Sequence, residues 1–149
     1  MAGCISQPVQ NQDLAQFKTI LLLLFILGEV ILWKFNGQDN QFWFWDGEML
    51  RNKKFPNKVL DFHWSDYQKN SWGKVYLHNE NGGLNQRWSL RGEEIICRYG
   101  QHQNLRLLLD VHSSSTQNGA KVGCYSSTGG VNQKWIISNV FSSNTRRSR

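Results

Sequence analysis

Three times the chain spells Asn-Gln-x-Trp, at residues 40–43, 85–88 and 132–135. The glutamines Gln41, Gln86 and Gln133 stand 45 and 47 residues apart (86 − 41 and 133 − 86). Self-similarity at such a period marks a fold built by repeating one supersecondary unit. The echo runs past the four letters. Val30, Val75 and Val122 each lie 11 residues before their glutamine, and Trp33, His78 and Tyr125 each lie 7 before their asparagine.

Between these motifs the sequence alternates short strands with turn chemistry. Residues 74–78 and 121–125 show the period-2 pattern of half-buried strands. Asn36-Gly37, Asn81-Gly82-Gly83 and Gly129-Gly130 separate them from the next tryptophan strand. Asp46-Gly47 and Arg91-Gly92 read as hairpin tips. Apolar stretches ending in Asp61 and Asp110 complete the later units. Apart from the leucine run, no segment of helical period is long enough to compete, so the spacing predicts an all-β barrel of three pseudo-symmetric four-strand repeats.

A chain of 149 residues with seven tryptophans suffices for one well-filled domain. Residues 1–18 are expected as a mobile lead and 19–141 as the domain, with repeats at about 19–54, 55–101 and 102–141 and a basic tail at 142–149. The first repeat is degenerate in its N-terminal part. Residues 19–27 form an apolar run too short to span a bilayer. It reads either as a buried strand opening the first repeat or as a signal-type or anchoring segment, although no basic cluster precedes it and no small-residue cleavage site follows. The compartment stays open between cytoplasmic and extracellular.

The net charge of +6 invites a polyanion. Arg146, Arg147 and Arg149 sit in the tail, however, and Arg51, Lys53, Lys54 and Lys58 cluster near one loop. A polyanion- or protein-binding surface is therefore the alternative reading, and no specific nucleic-acid partner is expected. Cys4, Cys97 and Cys124 are odd in number and lack metal-ligand spacing, which favours reduced thiols. His63, His78, His102 and His112 are scattered without a nucleophile–base spacing, and no phosphate-cradling loop occurs. No enzyme activity and no cofactor is expected.

The tryptophans Trp43, Trp88 and Trp135 read as core fillers, and the motif glutamines as supports for turn backbone groups. Asp110, Tyr125 and Asn132 are matched by Asp61, His78 and Asn85 in the preceding unit. A carboxylate, an aromatic face and a carboxamide are the parts a neutral sugar needs: acceptors for its hydroxyls, a surface for its C–H face, and an amide that donates and accepts.

These motifs, with Gly-x-Val-x-Leu-Trp at 28–33 and Leu-Asp-Val at 109–111, resemble the ricin B-chain type of lectin, the β-trefoil family marked by Gln-x-Trp repeats. The resemblance implies non-catalytic binding of galactose- or N-acetylgalactosamine-type glycans. It assigns hydroxyl binding to Asp110, stacking to Tyr125, hydrogen bonding to Asn132 and support to Gln133. A second, weaker site would use Asp61, His78, Asn85 and Gln86. The family's glutamine on the middle strand is replaced by Gly123, which removes a polar contact, and by Tyr76 in the second unit. Val59 and Leu108 stand where many members carry a half-cystine. In the first unit, counting back from Trp33 by the Asp110–Tyr125 spacing lands on Lys18, so no sugar is expected there. Oligomerisation would supply avidity, and membrane insertion is not expected.

Overall fold

The computed structural model describes residues 3–7, 18–22 and 28–139. Among them are twelve strands: β1 (Gly3–Gln7), β2 (Lys18–Leu22), β3 (Val30–Lys34), β4 (Phe42–Asp46), β5 (Met49–Asn52), β6 (Lys58–Phe62), β7 (Gly73–Asn79), β8 (Trp88–Arg91), β9 (Glu94–Cys97), β10 (Leu107–Val111), β11 (Ala120–Ser126) and β12 (Ile136–Asn139). They fall into three consecutive fours, and every pairing is antiparallel.

Two kinds of hairpin recur. In the first, β4 turns into β5 and β8 into β9 through two-residue loops, with Asp46 opposite Met49 and Arg91 opposite Glu94. The expected tips Gly47 and Gly92 open these loops at φ 60 and 58. Positive φ at only the first loop residue is the type II′ arrangement, whose twist matches that of the flanking strands. The third equivalent pairing is made by the two ends of the chain, β12 against β1. In the second kind, β2–β3, β6–β7 and β10–β11 pair as longer hairpins. Their second strands meet in a ring: β11 pairs with β3 and with β7, and a Glu29–Tyr76 bridge joins the remaining two.

The core reproduces the sequence echo. Val30, Val75 and Val122 are all buried, as are Trp43, Trp88 and Trp135, with Leu60, Leu109, Leu50, Ile95 and Ile5 packed among them. Full burial of each such aliphatic side chain is worth about 1.5–3 kcal/mol. The Trp88 and Trp135 indoles donate to the Leu60 and Leu109 carbonyls at 3.0 and 2.9 Å. The equivalent Trp43 Nε1, in the first repeat, finds no acceptor among the described residues.

Residues 3–7, expected within a mobile lead, instead form β1, which pairs with β12, β2 and β4. A closed barrel needs this strand, because without it β12 and β4 would present open edges. The first repeat therefore begins at β1, and the repeats run 3–46, 49–91 and 94–139, one strand out of phase with the expected divisions. Lys18 and the first four residues of the apolar run, 19–22, pair with β3 from Lys18–Lys34 to Leu22–Val30, so this part of the run is a strand. Residues 23–27 and the basic tail lie outside the described residues. No helix among the described residues is long and apolar enough to cross a membrane. Two short helices, α1 (Trp64–Asn70) and α2 (Arg98–His102), occupy connections where only loops were expected.

Candidate functional site

Each Asn-Gln dipeptide falls in a single 3-10 turn, at Asp39–Gln41, Leu84–Gln86 and Val131–Gln133, just before the tryptophan. The glutamine amide then ties the preceding loop to this turn. Gln41 Oε1 accepts from Asn36 N at 2.7 Å, Gln86 Oε1 from Asn81 N at 2.8 Å, and Gln133 Oε1 from Thr128 N at 2.8 Å. Each Nε2 donates back to a strand-end carbonyl, of Lys34, Asn79 or Ser126. All three glutamines are buried, and they act as the supports the sequence suggested.

In the third repeat the structure brings Asp110, Asn132 and Gln133 together. Asn132 Nδ2 and Gln133 Nε2 both donate to Asp110 Oδ2, at 2.9 and 3.0 Å. Tyr125, two residues along β11 from the partner of Asp110, stands 38% exposed beside an open cavity of about 390 Å³. Asp110, Asn132 and Tyr125 all line that cavity. Burial raises the Asp110 carboxyl above its ordinary value, against the opposing pull of the bonds from Gln133, Trp72 and Asn132 and of the nearby His112.

The cavity has a wall that the repeat pattern did not reveal. Asn70 and Trp72, from the connection between β6 and β7 of the second repeat, face the third repeat's residues across it, and His112 follows β10. Trp72 Nε1 donates to Asp110 Oδ1 at 3.2 Å, and its ring meets that of His112 edge-on at 4.7 Å. The one signal available in sequence was Gly123. A Cβ there would lie 2.5 Å from Trp72 Cζ2 and 2.3 Å from the Gly73 carbonyl, so a glycine is what admits the indole.

The second repeat gathers its set as well. Asn85 Nδ2 and Gln86 Nε2 donate to Asp61 Oδ2 at 3.0 and 2.8 Å. Tyr76 lies opposite Asp61 and gives its hydroxyl to Asp66 at 3.4 Å. Burial, then the Asp66 charge, raises the Tyr76 phenol. His78 is exposed and contacts the Asn79 carbonyl through Nδ1 at 3.0 Å.

In the first repeat the register corrects the count. Asp110 faces Gly123 and Asp61 faces Tyr76, each ten residues before its motif glutamine; the matching Ile31 faces Leu21, not Lys18. The matching paired residues lie 10 apart in sequence across β2–β3 (Leu21 and Ile31) but 13 apart across β10–β11 (Asp110 and Gly123), so a fixed spacing overshoots by three (13 − 10). Either way no carboxylate stands there.

Elsewhere the chemistry is quiet. Arg51 is held by Asp46 and Glu80 at 2.7 and 2.6 Å, and Lys53 by Asp39 at 2.9 Å, so much of the basic loop is neutralised. Ser65 Oγ lies 3.2 Å from His63 Nδ1 and 3.5 Å from Nε2, and Asp66 Oδ1 lies 3.1 Å from the same Nδ1, so the serine and the aspartate approach the ring mainly at one nitrogen. Cys97 and Cys124 are free and fully buried side by side, and burial pushes the Cys124 thiol well up. No cluster of three or more potential metal ligands occurs among the described residues.

No family model and no curated protein matches the sequence. Solved structures do match. A designed threefold-symmetric protein, ThreeFoil, superposes with a TM-score of 0.70 at 24% identity, over 93% of this chain and 99% of its own. The β-trefoil lectin of the Vibrio vulnificus hemolysin/cytolysin, with N-acetyl-D-lactosamine bound, follows at 0.68 and 19%, covering 92% and 93%. The chain folds as a β-trefoil. A ricin B-like lectin from Macrolepiota procera, in complex with lactose, shares the trefoil at 0.69 and 16%, over 93% and 95%. Identities this low speak for the trefoil architecture alone.

Proposed function

We propose that this trefoil is a non-catalytic carbohydrate-binding domain, a ricin B-like lectin for galactose- or N-acetylgalactosamine-type glycans, with its best site in the third repeat. The observation that carries the reading is Asp110, held by Asn132 and Gln133 beside the exposed Tyr125 ring on one open cavity. A charged acceptor next to an aromatic face is the chemistry that holds a pyranose. The similar Vibrio and Macrolepiota lectins hold galactose-containing sugars in their solved complexes, which supports the same class here.

The second repeat offers a weaker site, with Asp61 and Asn85 placed alike but His78 in the position of the stacking ring. Single shallow sites of this kind bind at roughly millimolar strength, about −4 kcal/mol, so useful avidity comes from using two sites or several copies. A glycan array on the full chain tests the proposal. Galactose-type binding that is lost in Asp110→Asn supports it, and equal binding by parent and variant overturns it.

A further inference from the structure

We propose that Trp72, contributed by the second repeat, is a positioning and specificity residue of the third repeat's site. Its indole N–H engages Asp110 Oδ1 and leaves the carboxylate one acceptor position, so Asp110 grips one sugar hydroxyl rather than a vicinal pair. The inference rests on the carbohydrate-binding reading above.

An ionised carboxylate offers about four lone-pair positions. Asn132 and Gln133 fill two on Oδ2, and Trp72 fills one on Oδ1. The amides have no hydrogen left to offer. Asn132 Nδ2 spends its second on the Val111 carbonyl at 3.2 Å, and Gln133 Nε2 spends its second on the Ser126 carbonyl at 2.9 Å. What remains for a ligand is one position on Asp110 Oδ1 and the Asn132 carbonyl oxygen. Both are acceptors, so the sugar must donate to each.

The second repeat shows what the third would be without the indole. Asp61 Oδ2 holds the same two amides, yet no donor reaches its Oδ1 among the described residues. Gly123 explains the difference, since a side chain at that position and the Trp72 ring would occupy the same space. Edge-on contact with His112 at 4.7 Å also holds the indole. A connection of the second repeat thus sets the hydrogen-bonding capacity of the third.

Two measurements test this. The first follows the Asp110 carboxyl resonance of the full chain through a pH titration. The ionisable groups around it are His112 after β10, the buried Cys124 thiol and the Tyr125 phenol on β11, and on the neighbouring β7 Lys74, which Glu29 engages at 2.7 Å. Trp72→Phe keeps a ring but removes the N–H, so the Asp110 midpoint moves up; an unchanged midpoint overturns the proposal. As a check against local unfolding, the Trp72 indole N–H resonance loses its pH dependence over the carboxylate range in Asp110→Asn.

The second measurement is calorimetry with methyl β-galactoside and its 3-deoxy and 4-deoxy analogues. In the parent, one analogue loses about tenfold or more, the cost of a hydrogen bond to a charged group, while the other stays near parent affinity. In Trp72→Phe the second analogue becomes sensitive too. Equal losses for both analogues in the parent overturn the proposal. If the parent binds no galactoside, the functional reading falls, while the titration still decides whether Trp72 holds Asp110.

Discussion

Gln133 is almost completely buried, yet all its polar valences are met, by Thr128, Ser126 and Asp110. Gln133→Ala strands those partners, and a cost of about 1–3 kcal/mol is expected in chemical denaturation. The same logic separates the three tryptophans. Trp88→Phe and Trp135→Phe each strand a buried carbonyl, whereas Trp43 has no such bond among the described residues. Trp43→Phe should therefore be the mildest of the three by about 1 kcal/mol, read as a smaller drop in denaturation midpoint. For Asp110, burial favours the protonated form. Its contribution to stability is fully present below the ordinary carboxylate range and is lost as pH rises through the raised midpoint. The proposed sugar binding uses the charged form and would run the other way. Affinity for a galactoside should fall on acidification with a midpoint above about 3.9, the usual value for Asp. At this scale the motif residues were legible because they recur. Trp72 and His112 were not, since neither belongs to a repeated motif and only the folded chain carries Trp72 into the next repeat's site.

Among the elements, β11 carries the most constraint. It pairs with β10, β7 and β3, and at Gly123 it comes so close to Gly73 that a methyl group would collide with backbone. Gly123→Ala should cost about 1–3 kcal/mol and displace Trp72, measured as a lower melting temperature together with a shifted indole N–H resonance. The strands of residues 28–139 were readable from period-2 alternation and turn residues. Two features were not. The strand β1 is a short segment in polar surroundings, and what makes it a strand is the pair of edges it closes, which lie far along the chain. Leu21 was missed as the counterpart of Asp110 because hairpin register follows the length of the connection, and the connections differ.

For the molecule as a whole, threefold symmetry belongs to the core and not to the proposed binding surface. All three motif tryptophans are buried alike, and in the later two repeats a carboxylate accepts from the motif asparagine, whereas in the first Leu21 holds the matching register position. The third adds an exposed ring and a borrowed indole; the second keeps an open carboxylate edge without a good stacking partner. A ligand presenting several galactosides should accordingly bind more tightly than a single one, and removing either carboxylate should abolish most of that gain. The most direct test of the central claim is a titration of the isotopically labelled full chain with lactose, followed residue by residue in amide and indole spectra. The account predicts the largest shifts at Asp110, Tyr125, Asn132 and Trp72, smaller ones around Asp61 and Asn85, and loss of the first group in Asp110→Asn. Shifts centred on Trp33 and Asn40, or no shifts at millimolar lactose, would contradict it.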